Sequence, residues 1–260
     1  LRVAGLDRPQ IFRQYYDMLS ATTLEEFERA MSMLQMPMFT TMYADEAGHI
    51  MHLFNGLVPR RARWEESYWT GPIPGDSSET LWTEYHSYDE LPRAVDPESG
   101  WLQNANDHPW TTTFPRPEAM DPSRYPPYMS RDFMHLRAHS SARLMLEDPS
   151  LTFQEMVEYK HSTRVEMADR LLDDLLPLIR ERGGEKARRA AEVLEAWDRT
   201  TDAGARGAVL FINWALALYA QTRGDLWDEG WDPARPMETP DGLANPDLAL
   251  AVLEAAVDST

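Results

Sequence analysis

Residues 100–110, GWLQNANDHPW, gather neutral hydrogen-bonding side chains between two tryptophans. Asn104 and Asn106 sit one residue apart, Asp107 and His108 follow, and Pro109 stops any regular continuation. Two chemistries fit this pattern. Asn, Asp and Pro all favour turns, so the group could be ordinary loop chemistry. An asparagine amide on a stiff loop can also donate to an oxygen on which negative charge develops during acyl transfer. On the local residues alone, the turn account is sufficient.

Other candidate clusters carry less. His49 and His52 flank a turn beside Asp45. Residues three apart on a strand face opposite sides, so the two imidazoles diverge and a shared metal is not expected. His135 and His139 have the i,i+4 spacing of a zinc-binding helix, but Leu136, Arg137 and Ala138 stand between them and the required glutamate is missing. A surface or helix-cap pair is the expectation there. The acidic pairs Glu25–Glu26, Glu65–Glu66 and Asp173–Asp174 read as solvated faces. The chain has no nucleophile elbow, phosphate loop or dinucleotide fingerprint. The many Trp and Tyr residues between 64 and 110 suit either a ligand-stacking surface or aromatic packing under long loops.

Composition narrows the classes. The 260 residues suffice for one large domain or two small ones, and 43% hydrophobic content is that of an ordinary globular chain. Lys and Arg number 25 against 43 Asp and Glu, a net charge of −18. That balance argues against nucleic acid and against anionic membrane surfaces, both of which are held by basic side chains. With no cysteine, disulfides, thiolate metal sites and cysteine nucleophiles are excluded. The longest apolar run, 207–220, is shorter than the roughly 20 residues that span a bilayer and contains Asn213. A buried core helix is expected there. No signal peptide is visible, and the first residue is Leu1 rather than Met, so the true start is expected to have been removed or to lie elsewhere.

The elements that must position these residues alternate at first. Thr22–Glu25 and Thr23–Glu26 form two overlapping capping boxes ahead of Leu24, Phe27, Met31 and Leu34, which recur at helical spacing until Pro37. Residues 38–56 form a hairpin around ADEAGH, with Gly48 free to take positive φ. Its strands carry large apolar side chains on both faces, which predicts cover on both sides. Residues 58–130 read as a long loop zone, and loops of that length are functional or structurally pinned. From about Phe133 the periodicity is helical. Thr152 and Glu155 make a capping box, Met167, Leu171, Leu175 and Leu178 mark one face, and Gly183–Gly184 punctuates the run. EKARRAAEVLEAWD, the 207–220 run and NPDLALAVLEAAV supply further helices. The residue pattern predicts an α/β layer over 1–130 followed by a helical layer over 131–260.

Several stretches taken together resemble the penicillin amidase family of N-terminal nucleophile hydrolases, and its β subunit in particular. MYADEAGHIMHLFNGLVPRR is similar to that family's hairpin. TGPIPGD, ELPRAVDPESGWLQNANDHPW and LRAHSSARLMLEDPSLT follow in the family's order, and VLEAWDRTTDAGARGAVLFINWALAL resembles its later helical signature. The resemblance covers nearly the whole chain. It implies an α+β fold: part of an αββα sandwich with long active-site loops over 1–130, then a mostly helical portion over 131–260.

The resemblance also implies an activity, hydrolysis of an amide between an acyl group and an amine in a small-molecule acylated substrate such as a penicillin, a cephalosporin or an acyl-homoserine lactone. Asn106, the second asparagine of the loop, corresponds to an oxyanion-hole donor. Arg137, placed by its distance from Arg143 and from LMLEDPSLT, corresponds to an arginine near the active site. The family's nucleophile is a serine at the N-terminus of the β subunit, freed by autocatalytic cleavage, with its own α-amino group as base. Leu1 is no nucleophile, so the serine, the second oxyanion donor and most calcium ligands of the complete enzyme are expected upstream. The chain is then an internal β-subunit fragment, inactive alone, with the α subunit and the remaining β segments as partners, and periplasmic or secreted. No cofactor is expected in the fragment itself. The alternative is a non-catalytic binding or structural protein that retains the acylase scaffold.

Overall fold

Local capping and strand pairing set the first elements. A computed structural model describes residues 3–63, 65–131 and 133–259. Leu1 and Trp64, both singled out in the sequence, lie outside them. The chain divides into two compact units, Leu1–Phe133 and Met134–Thr260.

In the first unit, α1 (Ile11–Ser20) and α2 (Leu24–Met31) pack on each other. Of the two capping boxes one forms, in altered shape. Thr23 caps the helix by accepting the N–H of Glu26 (3.2 Å), while Glu26 reaches back to the N–H of Thr22 rather than that of Thr23 (2.9 Å). Glu25 pairs instead with Arg29, one turn on. The helix stops at Met31, and Leu34, expected on its face, takes a left-handed φ of 47°.

The hairpin forms over the residues expected. β1 (Met38–Ala44) runs antiparallel to β2 (Ile50–Gly56), Met38 opposite Gly56 and Ala44 opposite Ile50, and Gly48 in the turn has φ 94°. A third strand, β3 (Arg93–Val95), arises inside the loop zone and pairs with the far edge of β2. β2 is therefore central and covered on both faces: Met51, His52 and Leu53 are all fully buried. β1 is an edge strand, and the expected cover is missing there, with Met38, Phe39 and Met42 exposed at 75%, 54% and 44%. Met51 and Leu53 join Phe27, Met31, Met36 and Trp110 in this unit's core. The rest of the loop zone is held by a single-turn helix, α3 (Glu66–Trp69), and by short 3-10 turns such as Pro109–Thr111. Among its aromatics, buried Trp110 stacks on Tyr125 at 5.1 Å, and Arg61 lies over half-buried Trp69.

The second unit is built of α4 (Leu136–Glu147), α5 (Phe153–Lys160), α6 (Glu166–Arg182), α7 (Glu185–Glu195), α8 (Arg206–Thr222) and α9 (Pro246–Ser259). A two-stranded ribbon, β4 (Trp227–Glu229) with β5 (Asp241–Leu243), joins them. The capping box of α5 is complete: Thr152 accepts from Glu155 N–H and Glu155 accepts from Thr152 N–H. α6 to α9 enclose one core in which Leu171, Leu175, Ile179, Leu194, Phe211 and Trp214 are buried. Gly207 is required at the α7–α8 approach, since a Cβ there would stand 2.4 Å from the Trp197 side chain. The 207–220 run proves to be buried on one face only. Phe211, Trp214 and Leu218 point inward, while Val209, Asn213, Leu216 and Tyr219 are exposed. No described helix is long and apolar enough to cross a membrane.

Candidate functional site

The loop 100–113 is pinned at its neck by a reciprocal pair. Gln103 N–H donates to the Thr112 carbonyl and the Thr112 hydroxyl donates to the Gln103 carbonyl, each at 2.8 Å. The Gln103 side chain adds a bond from Nε2 to the Thr111 carbonyl (2.9 Å). Inside the loop, Asp107 is buried and its carboxylate accepts three bonds. Oδ1 takes the N–H of Ala105 (3.0 Å), and Oδ2 takes Gln103 Nε2 (3.1 Å) and the Thr111 hydroxyl (3.0 Å). Asn104 Oδ1 accepts the N–H of Asn106 at 3.2 Å, the local turn that asparagine favours. Asn106 itself is exposed and has φ 64°, a left-handed conformation that Asn tolerates better than most residues. Turn chemistry therefore builds the loop, and it leaves Asn106 exposed on a backbone tied by Asp107 and Asn104.

Beneath the loop lies His52, on the face of β2 opposite Met51 and Leu53. It is fully buried, and neither ring nitrogen has a hydrogen-bond partner. Burial pushes its pKa down to about 4, and the nearby charge of Asp107 works in the opposite direction. Across the strand His49 is exposed, bound through Nδ1 to Asp96 Oδ2 at 2.7 Å, which raises its pKa. The two imidazoles diverge as their strand spacing requires.

Arg137 belongs to the second unit, on the first turn of α4, and is exposed. On the same helix Arg143 pairs with buried Glu166 at 2.6 Å. Glu166 also pairs with buried Arg170, whose guanidinium donates to the carbonyls of Met237, Glu238 and Pro240. His139 corrects the expectation of a surface pair. His135 is an exposed N-cap, but His139 is fully buried, with Nε2 2.8 Å from the Pro236 carbonyl and 2.9 Å from that of Thr239. The i,i+4 spacing put both residues on one side of the helix, and the 236–240 stretch covers only the second.

Asp107, Gln103 and Thr111 were not singled out in the sequence as functional. Their signal was the four-residue step from Gln103 to Asp107 to Thr111 across a proline, which is legible only once the loop closes on itself. Among the described residues, no three His, Asp or Glu side chains could hold a metal ion.

The chain is 24% identical over 286 aligned residues to the acyl-homoserine lactone acylase PvdQ of Pseudomonas fluorescens, covering 100% of this chain and 36% of that protein. It is 28% identical over 174 residues to the penicillin acylase 2 proenzyme of a Pseudomonas species, covering 67% of this chain and 21% of the relative. It thus spans little more than a third of the length of the first of these curated relatives and less of the second. In fold it is similar to the thermostable penicillin G acylase from Alcaligenes faecalis, with a TM-score of 0.61 over 96% of this chain and 50% of the other, at 16% identity. The mixed helix-and-strand architecture is α+β, as expected, and the relatives are acylases. With the penicillin amidase family description matching residues 1–260, the chain belongs to the penicillin amidase family.

Proposed function

We propose that the chain is part of an acylase that hydrolyses the amide between an acyl group and an amine, with Asn106 as an oxyanion-hole donor. The supporting observation is the exposed, left-handed Asn106 at the tip of a loop braced from both sides. A donor fixed in advance stabilises a developing oxyanion without reorganising during the reaction. In this reading a serine hydroxyl from outside these 260 residues attacks the amide carbonyl, and its own α-amino group takes the proton and delivers it to the leaving amine. The Asn106 side-chain N–H and a second N–H, also from outside, hold the tetrahedral oxygen. Water then releases the acyl group as a carboxylic acid. By the family resemblance, Arg137 serves the same reaction.

The relatives' names suggest the first substrates to try, an N-acyl homoserine lactone and a penicillin. The name proenzyme in one of them supports a precursor processed into α and β subunits. A periplasmic or secreted location belongs to the same proposal and is checked by fractionating cells that express the complete gene.

The test is steady-state kinetics on the complete enzyme. Asn106→Ala is expected to lower kcat by about 10² to 10³-fold and to change KM little, because the oxyanion exists only in the transition state. A KM effect with kcat intact would make Asn106 a binding residue and overturn its assignment. The 260-residue chain alone is expected to be inactive. Turnover by the purified chain that survives Asn106→Ala would overturn the mechanism.

A further inference from the structure

We propose that Asp107 is the positioning residue that sets Asn106 as a donor, an inference that rests on the acylase reading above. Its carboxylate joins three parts of the loop that are otherwise separate: the Ala105 N–H at the tip, the Gln103 side chain at the neck and the Thr111 hydroxyl in the 3-10 turn. The Ala105–Asn106 backbone is thereby tied on one side by Asp107 and on the other by the Asn104 side chain. Asp107 is buried and Asn106 is exposed, so the brace is hidden and the donor presented. Residue chemistry favours a carboxylate here. All three contacts come from N–H or O–H groups, and an ionised carboxyl offers acceptor sites on both oxygens. An asparagine would turn an NH2 group toward one of those donors.

Geometry of this kind matters because a catalytic donor must be held to within about 0.5 Å of its productive place. Losing the brace leaves the asparagine amide chemically intact and spatially loose. The effect should therefore appear in kcat, pass through Asn106, and vanish when Asn106 is already absent.

The experiment is a double-mutant cycle in the complete enzyme, with melting temperatures measured on every variant. Asp107→Ala is expected to lower kcat by about 10²-fold with KM little changed. Asp107→Asn keeps one acceptor oxygen and should recover part of the loss. Asn106→Ala/Asp107→Ala should be no slower than Asn106→Ala alone, the non-additivity of residues that act as one. Losses that multiply, or Asp107→Ala at wild-type kcat beside a slow Asn106→Ala, overturn the positioning role and leave the acylase reading standing. Asn106→Ala at wild-type kcat removes the donor assignment first and the positioning role with it. Should Asp107→Ala not fold, Thr111→Val removes a single arm of the brace. A several-fold kcat loss that disappears in the Asn106→Ala background supports the proposal, and its persistence there, or wild-type kcat for Thr111→Val alone, refutes it.

Discussion

Residues 134–260 and residues 1–133 bury different kinds of side chain. The second unit hides aliphatic and aromatic groups from helix faces, and its buried His139 and Arg170 bond one stretch of backbone, 236–240, with Glu166 paired to Arg170. The first unit buries Gln14, Gln35, Gln103 and Asp107, each bonded to loop backbone, and also His52, whose ring has no hydrogen-bond partner, and His86, bonded to Tyr128, in addition to its apolar core. Helices satisfy their own backbone, so their interior can be filled with hydrocarbon. Loops do not, and side chains must be brought inside to pair with carbonyls and N–H groups. Gln14 illustrates this: its Oε1 accepts the N–H of buried Gln35 at 2.7 Å. A region built that way has stability conditional on protonation and on single polar partners, whereas the helical unit depends on volume.

The largest expected effect tests the helical side of this contrast. Trp214 is fully buried, lies 5.4 Å from the Phe211 ring and donates its indole N–H to the Ala249 carbonyl at 2.9 Å. Trp214→Ala should cost about 3–5 kcal/mol through the cavity it leaves, with no dependence on pH. Hydrogen exchange resolved along the chain should show protection lost in α8 and α9. A loss confined to residues 1–133 would contradict the division into two cores.

An intermediate effect tests the loop-rich side. His52 is held neutral in the folded chain, with its pKa lowered from 6.5 to about 4. Between those values the unfolded chain binds the extra proton, so stability rises with pH across that window and is lost as pH falls. The full contribution is about 3 kcal/mol, complete above pH 6.5 and exhausted near pH 4. Melting temperature against pH should have a shallower slope between pH 4 and 6.5 in His52→Gln than in the wild type. Equal slopes would remove His52 as the cause.

The smallest expected effect concerns an exposed helix end in the second unit. Thr152→Ala opens the capping box of α5 and should cost about 1 kcal/mol, visible as faster exchange of the first-turn amides of α5. Unchanged exchange there would show that the α5 terminus is held by packing rather than by its cap.

Much of this was legible in the residues. Two apolar-rich runs around a glycine-containing turn placed the hairpin at 38–56, and period-3.6 patterns placed the helices after 133. The family resemblance rested on motifs spread along nearly the whole chain, and the family match over residues 1–260 agrees with it. Less legible was α1, whose outward side mixes exposed Phe12, Tyr16 and Leu19 with the Arg13–Asp17 pair while Gln14 is buried, so apolar spacing does not mark its inner face. The two short strand pairings were also missed: β3, and β4 with β5, are three residues long each, too short for alternation to register.

By itself the sequence determined which segments could be helix or strand, that the hairpin histidines point apart, and that residues 104–107 form a turn, since each follows from local covalent geometry and spacing. Burial was a tertiary decision. His135 caps α4 and His139 lies in its first turn, yet only His139 lies under the 236–240 stretch. His52 lies in β2 and His49 just before it, yet only His52 lies beneath a carboxylate-bearing loop. Asp107 becomes the brace of Asn106 because residues 103, 105 and 111 converge on one carboxylate when the loop closes. Hydrogen bonding and desolvation depend on distances of a few ångströms between groups from different turns of the chain, and those distances exist only after folding.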